Sequence, residues 1–113
     1  MRHYIPTKLK SIFTSDFNKC AMTNIYRGAR QIEVHHVFGA ANRKRSSKYG
    51  YVVPLVAEIH PNGYAASNKE CQRLTGMTLK ELDLWLKQKC QEDFEARHGS
   101  RNDFIEEFGR SYL

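Results

Sequence analysis

The stretch Glu33-Val34-His35-His36-Val37-Phe38-Gly39, preceded by Gln31-Ile32, decides how this chain is read. Gln31 to Phe38 is rich in β-branched and aromatic side chains, which suit a pleated, half-buried strand. Gly39 ends the run. Successive side chains of a strand point to opposite faces, so His35 and His36 cannot share one task while the strand stays regular. Behind them, Ala40 to Gly50 carries Arg43, Lys44, Arg45 and Lys48. So basic a segment is costly to bury and reads as a polar surface loop. Tyr51-Val52-Val53-Pro54-Leu55-Val56 is the next strand, with Pro54 setting its later part at an edge or end. The predicted unit is two antiparallel strands joined by a long basic loop, with His60 just beyond.

Upstream, Pro6-Thr7 suits the first turn of a short helix, and Ile5, Leu9, Ile12 and Phe13 have helical spacing. This arm packs apolar side chains on the core or brings Arg2, Lys8 and Lys10 to phosphate. Cys20-Ala21-Met22-Thr23 reads as a short strand, and Asn24 to Ala29, containing Gly28, as a turn. Downstream, Pro61-Asn62-Gly63 is a turn signal. Ser67-Asn68-Lys69-Glu70 fits a capping box opening a helix that Gly76 stops. Thr78-Leu79-Lys80-Glu81 is a second box. The helix it opens carries Leu82, Leu86, Cys90 and Phe94 at every fourth position and ends at Gly99. Ser100 to Asp103 starts a last helix, closed by Gly109. The fold class is α+β.

The chain has 113 residues, which fits a single domain over 1–113. It divides into a basic arm (1–19), a core (20–75) and C-terminal helices (78–113). No apolar run approaches membrane-spanning length and no signal peptide opens the chain, which predicts no membrane partner. Three cysteines without a CxxC pair argue against a disulfide framework and fit a reducing cytoplasm. The net charge is +6 and uneven: residues 1–50 hold ten Lys/Arg against two Asp/Glu, and residues 51–113 hold eight against ten. A basic half beside a slightly acidic one points to a polyanionic partner, with nucleic acid foremost.

Neutral imidazole binds transition metals and also serves as a general base near neutral pH. Phosphodiester hydrolysis needs an activated water and stabilised charge on the phosphate and leaving oxygens. A cation can serve the second need and a histidine the first. Two adjacent histidines facing opposite ways are suited to divide that labour. A His-His pair alone carries little weight, since many are simply exposed. Here the order of strand, His-His, basic segment, strand and His60 adds to it.

That order, in Val34-His35-His36-Val37-Phe38-Gly39-Ala40-Ala41-Asn42-Arg43-Lys44-Arg45-Ser46 with Lys48-Tyr49-Gly50 and Val53-Pro54-Leu55, resembles the small HNH (ββα-metal) endonucleases of bacteriophages. It is similar to those associated with recombination. The ending Phe104-Ile105-Glu106-Glu107-Phe108-Gly109-Arg110-Ser111-Tyr112-Leu113 is similar too. The resemblance covers roughly residues 20–113. It implies a ββα-metal core, an antiparallel hairpin plus a short helix, with added C-terminal helices. It implies a phage-encoded DNA endonuclease acting in the host cytoplasm, in recombination or DNA processing. His35 and His60 fall at metal-ligand positions, His36 at the general-base position, and Asn42 at a loop asparagine that steadies the site or meets substrate. The cofactor implied is a divalent metal ion, magnesium first, with manganese, nickel or zinc as alternatives. Arg43, Lys44, Arg45 and Lys48 are the implied DNA-binding cations. Oligomeric state stays open.

The chain departs from the family pattern in three places. Val56 and Ile59 stand where relatives often carry cysteines, which disfavours a structural zinc. Tyr64-Ala65-Ala66-Ser67 stands where relatives often have a further histidine, leaving Asn62, Asn68 or water for that ligand position. Cys71 to Glu81 reads as an insertion. Two expectations follow: an active endonuclease, or a catalytically impaired HNH scaffold that binds DNA.

Overall fold

The structure, a computed structural model, describes residues 9–113. Its centre is an antiparallel hairpin, β1 (Ile32–His36) and β2 (Val52–Val56), with His35 opposite Val53 and His36 opposite Val52. Val37 extends the ladder by donating to the Tyr51 carbonyl at 3.0 Å. Every residue of β2 is buried. The Pro54 carbonyl turns away from β1 and accepts from the Ala21 N–H at 2.9 Å. Because N–H and C=O of one strand residue share a side, the N–H that proline lacks would also have pointed outward. Pro54 therefore costs the hairpin no bond.

The connection between the strands is not the loop expected from its polarity. A 3-10 turn at Ala40–Asn42 leads into α1 (Arg43–Tyr49). Arginine and lysine are good helix formers, so a solvated basic stretch folds as a helix without an apolar stripe. Gly50, at φ 81°, closes α1 in the left-handed conformation, and its N–H bonds the Ser46 and Ser47 carbonyls. The four cations are exposed as expected, but the segment that carries them is helical rather than an irregular loop.

Two upstream expectations also change. Cys20-Ala21-Met22-Thr23 forms a turn rather than a strand, with Asn24 N–H donating to the Cys20 carbonyl at 2.9 Å and Asn24 at φ 62°. Asparagine tolerates that left-handed conformation, and four residues offer too little alternation to hold a strand. The proposed N-terminal helix begins, at Pro6-Thr7, outside the described residues. Its described part, Leu9 to Phe13, is not helical. This segment instead tracks the hairpin: Ile12 N–H donates to the Gly50 carbonyl at 2.9 Å and Ser11 Oγ to the Val52 carbonyl. Ile12 and Phe13 pack on the core.

The helices follow their caps. In α2 (Asn68–Thr75) Ser67 accepts from Glu70 N–H at 3.2 Å. The box is only half formed, because the Glu70 carboxylate pairs with Arg73 at 2.6 Å instead of reaching back. α3 (Leu79–Arg97) begins with a complete Thr78–Glu81 box, and its Leu82, Leu86, Cys90 and Phe94 are buried as their spacing requires. α3 ends at Arg97, just before Gly99. α4 (Arg101–Phe108) opens with a Ser100–Asp103 box and closes on Gly109 at φ 96°. Phe38 ties these helices to the hairpin: its ring centroid lies 4.3 Å from Phe108, 5.7 Å from Phe104 and 5.9 Å from Tyr112. Among the described residues no helix is long and apolar enough to cross a membrane.

Candidate active site

β1 and the turn after β2 build the site. Glu33 and His35 are two apart on β1 and so share a face. β2 leads into a 3-10 turn at Ala57–Ile59, which delivers His60 beside them. The His60 Nδ1 lies 2.6 Å from Glu33 Oε1. An ionised carboxylate can only accept, so Nδ1 carries the hydrogen and the Nε2 lone pair of a neutral His60 ring is left available. The His35 and His60 rings meet edge to face, with centroids 5.0 Å apart. The two histidines assigned as ligands are thus brought together.

His35 is 7% exposed, and its Nε2 has no hydrogen-bond partner. The nearest acid, Asp83 of α3, stands 3.8 Å away, too far for a hydrogen bond. Asp83 is held by Lys87 at 2.8 Å. Burial pushes the Asp83 carboxyl up, but the facing His35 and Lys87 outweigh it and keep the acid below its usual range. Burial lowers the His35 pKa, so the ring is neutral at pH 7. A neutral, buried nitrogen without a partner suits a metal ligand, because few other arrangements repay leaving it unpaired. The donor chemistry therefore fits a divalent cation at His35 and His60. Among the described residues no three His, Cys, Asp or Glu side chains stand close enough to form a ready-made cage.

His36 occupies the opposite face. Its Nε2 lies 3.0 Å from Ser47 Oγ on α1. Burial, then the neighbouring Arg43 guanidinium, lowers its pKa, so it too is neutral at pH 7. Where Nε2–H donates to Ser47, the free lone pair falls on Nδ1; where the Ser47 hydroxyl donates to Nε2, Nδ1 carries the hydrogen; in both cases one bond orients the ring.

Asn42 sits at the start of α1. Its Nδ2 donates to the Phe108 carbonyl at 3.4 Å and its Oδ1 accepts from Arg45 at 3.2 Å. Both polar ends are thus engaged in joining α1 to the end of α4. Arg43, Lys44, Arg45 and Lys48 are all exposed on α1. Among the described residues, Arg45 has an acidic partner, Glu107 at 3.5 Å. Of the substitutes for a third ligand, Asn68 caps α3 by accepting from Leu79 N–H at 2.9 Å. Asn62 holds a turn at φ 63°.

Three contributing residues escaped the sequence reading. Glu33 carried a signal, the strand alternation that places it beside His35. Ser47 and Asp83 carried none, each being one polar residue on a helix surface. No protein family, curated protein or solved structure matches the chain.

Proposed function

We propose that the protein is a metal-dependent DNA endonuclease of the HNH type, acting in phage DNA recombination or processing. The observation that carries this reading is the unequal setting of its adjacent histidines. His35 has a buried nitrogen without a partner beside a carboxylate-oriented His60, while the His36 ring lies on the opposite face, tied to Ser47 and with its pKa lowered. In this reading His35 and His60 hold a divalent cation. That ion supplies positive charge to the scissile phosphate and to the leaving oxygen. His36 takes the proton from the attacking water, and Arg43, Lys44, Arg45 and Lys48 hold flanking phosphates without reading sequence. Asn42 steadies α1, the helix that carries Ser47. The α+β hairpin with its helices is compatible with a ββα-metal core.

The test is nicking of supercoiled plasmid with magnesium, manganese and nickel. His36→Ala is expected to lose about 100-fold or more of the cutting rate, the usual worth of a general base, while keeping DNA affinity. Equal cutting by wild type and His36→Ala would sink the assignment. A second reading, an impaired HNH scaffold that only binds DNA, is favoured by the absence, among the described residues, of three His, Cys, Asp or Glu side chains grouped so as to hold a metal ion. It predicts salt-sensitive binding and no metal-stimulated cleavage by the wild type.

A further inference from the structure

A cleft of about 650 Å³ opens between the N-terminal segment, α1 and α3, lined by Lys10, Ser47, Lys48, Gly50, Asp93 and Arg97 among others. Its volume lies within the range of small-ligand sites and accommodates a sugar-phosphate unit. Three cations from three separate parts of the chain face one acid. That acid is already satisfied: Asp93 pairs with Arg97 at 2.7 Å and accepts from the Tyr51 hydroxyl at 2.9 Å. Lys10 and Lys48 have no acidic partner among the described residues. The backbone just after Lys10 is anchored, because Ser11 and Ile12 are tied to Val52 and Gly50.

We propose that this cleft seats the phosphodiester backbone of the DNA strand on the His36 side of the hairpin. Ser47 makes the connection: it lines the cleft and its hydroxyl bonds His36. Lys44 and Lys48, four apart, lie on one side of α1 and continue the positive track out of the cleft along the helix. The strand therefore enters past Lys10 and Arg97, reaches Ser47 and His36, and leaves along α1. Asp93 reduces the positive charge of the cleft and so limits how tightly the strand is held. This inference rests on the reading of the protein as one that acts on DNA.

The experiment is fluorescence anisotropy of a labelled DNA oligonucleotide in EDTA, across a salt series, so that hydrolysis plays no part. Lys10→Gln and Arg97→Gln are compared with wild type and with Lys80→Gln, an exposed α3 residue that does not line the cleft. Each cleft variant is expected to bind about eightfold more weakly at about 0.1 M salt and to lower the log–log salt slope by about 0.9. Asp93→Asn keeps an acceptor for Tyr51 and is expected to tighten binding, an effect that mere loss of folding would not produce. If wild type binds and both cleft variants follow Lys80→Gln, the cleft assignment is overturned and the DNA reading stands. If wild type does not bind, the DNA reading itself fails.

Discussion

The carboxylate of Glu33 lies 2.6 Å from Nδ1 of His60, joining β1 to the turn after β2 across 27 positions of chain. It is a charge-assisted bond, short and directional. Its effect is to set which nitrogen of His60 can bind a cation. Removing such an outer partner commonly costs about 10–100-fold in metal affinity. Glu33→Gln is therefore expected to weaken manganese binding by that factor while the fold is kept, since glutamine still offers an acceptor. Titration calorimetry with manganese, alongside circular dichroism, checks it. Unchanged manganese affinity in a folded variant would remove Glu33 from the site.

The buried His35 makes a stability prediction. Burial holds its folded pKa below the ordinary 6.5. The unfolded chain therefore binds the proton more readily than the folded one. Stability is full above pH 6.5 and is lost as pH falls through the folded value. In EDTA, the melting temperature of wild type should drop on acidification below pH 6.5 more steeply than that of His35→Gln, which has no proton to take up there. Parallel curves for the two proteins would mean that His35 is not the group responsible.

The three cysteines are all buried and free. Burial pushes the thiols of Cys71 and Cys90 above their ordinary pKa. The thiolate is the reactive form, so both factors slow attack. At pH 8 the native protein should resist a thiol-specific disulfide reagent and react fully, three thiols per chain, only in denaturant. Rapid reaction of any one thiol in the native state would show that its covering segment opens.

What could be read from residues alone was what repeats locally. The apolar spacing of Leu82, Leu86, Cys90 and Phe94 and the caps Thr78 and Ser100 specify α3 and α4 without tertiary information. The hairpin was legible for the same reason. α1 was not, because its order comes from helix-forming cations, one buried serine and the Gly50 closure rather than from any hydrophobic period. The site divides in the same way. Alternation separates His35 from His36 and places Glu33 with the former. Nothing local says that His60 turns back to Glu33, or that Asp83, on a helix, approaches His35. Those are meetings between distant parts of the chain, which periodicity does not encode.

Ser46 and Ser47 are neighbours on α1 with opposite tasks, and they yield the sharpest paired test. Ser46 is fully buried; its hydroxyl accepts from the Phe38 N–H at 3.1 Å and donates to the Tyr51 carbonyl. It thus links the two strands at the connected end of the hairpin, just where the ladder stops. Ser46→Ala leaves the buried Phe38 N–H unpaired, while the Tyr51 carbonyl keeps its bond from Val37, and is expected to cost about 1–3 kcal/mol. Ser47 is only partly buried, and its hydroxyl serves His36. Ser47→Ala is expected to change stability by less than about 0.5 kcal/mol, as surface substitutions do, yet to slow cleavage by freeing the His36 ring. Urea unfolding and plasmid nicking, run on both variants, separate the two roles. A Ser47→Ala protein that cuts at the wild-type rate would show that His36 needs no partner on α1. A Ser46→Ala protein of wild-type stability would show that the hairpin end is held by other contacts.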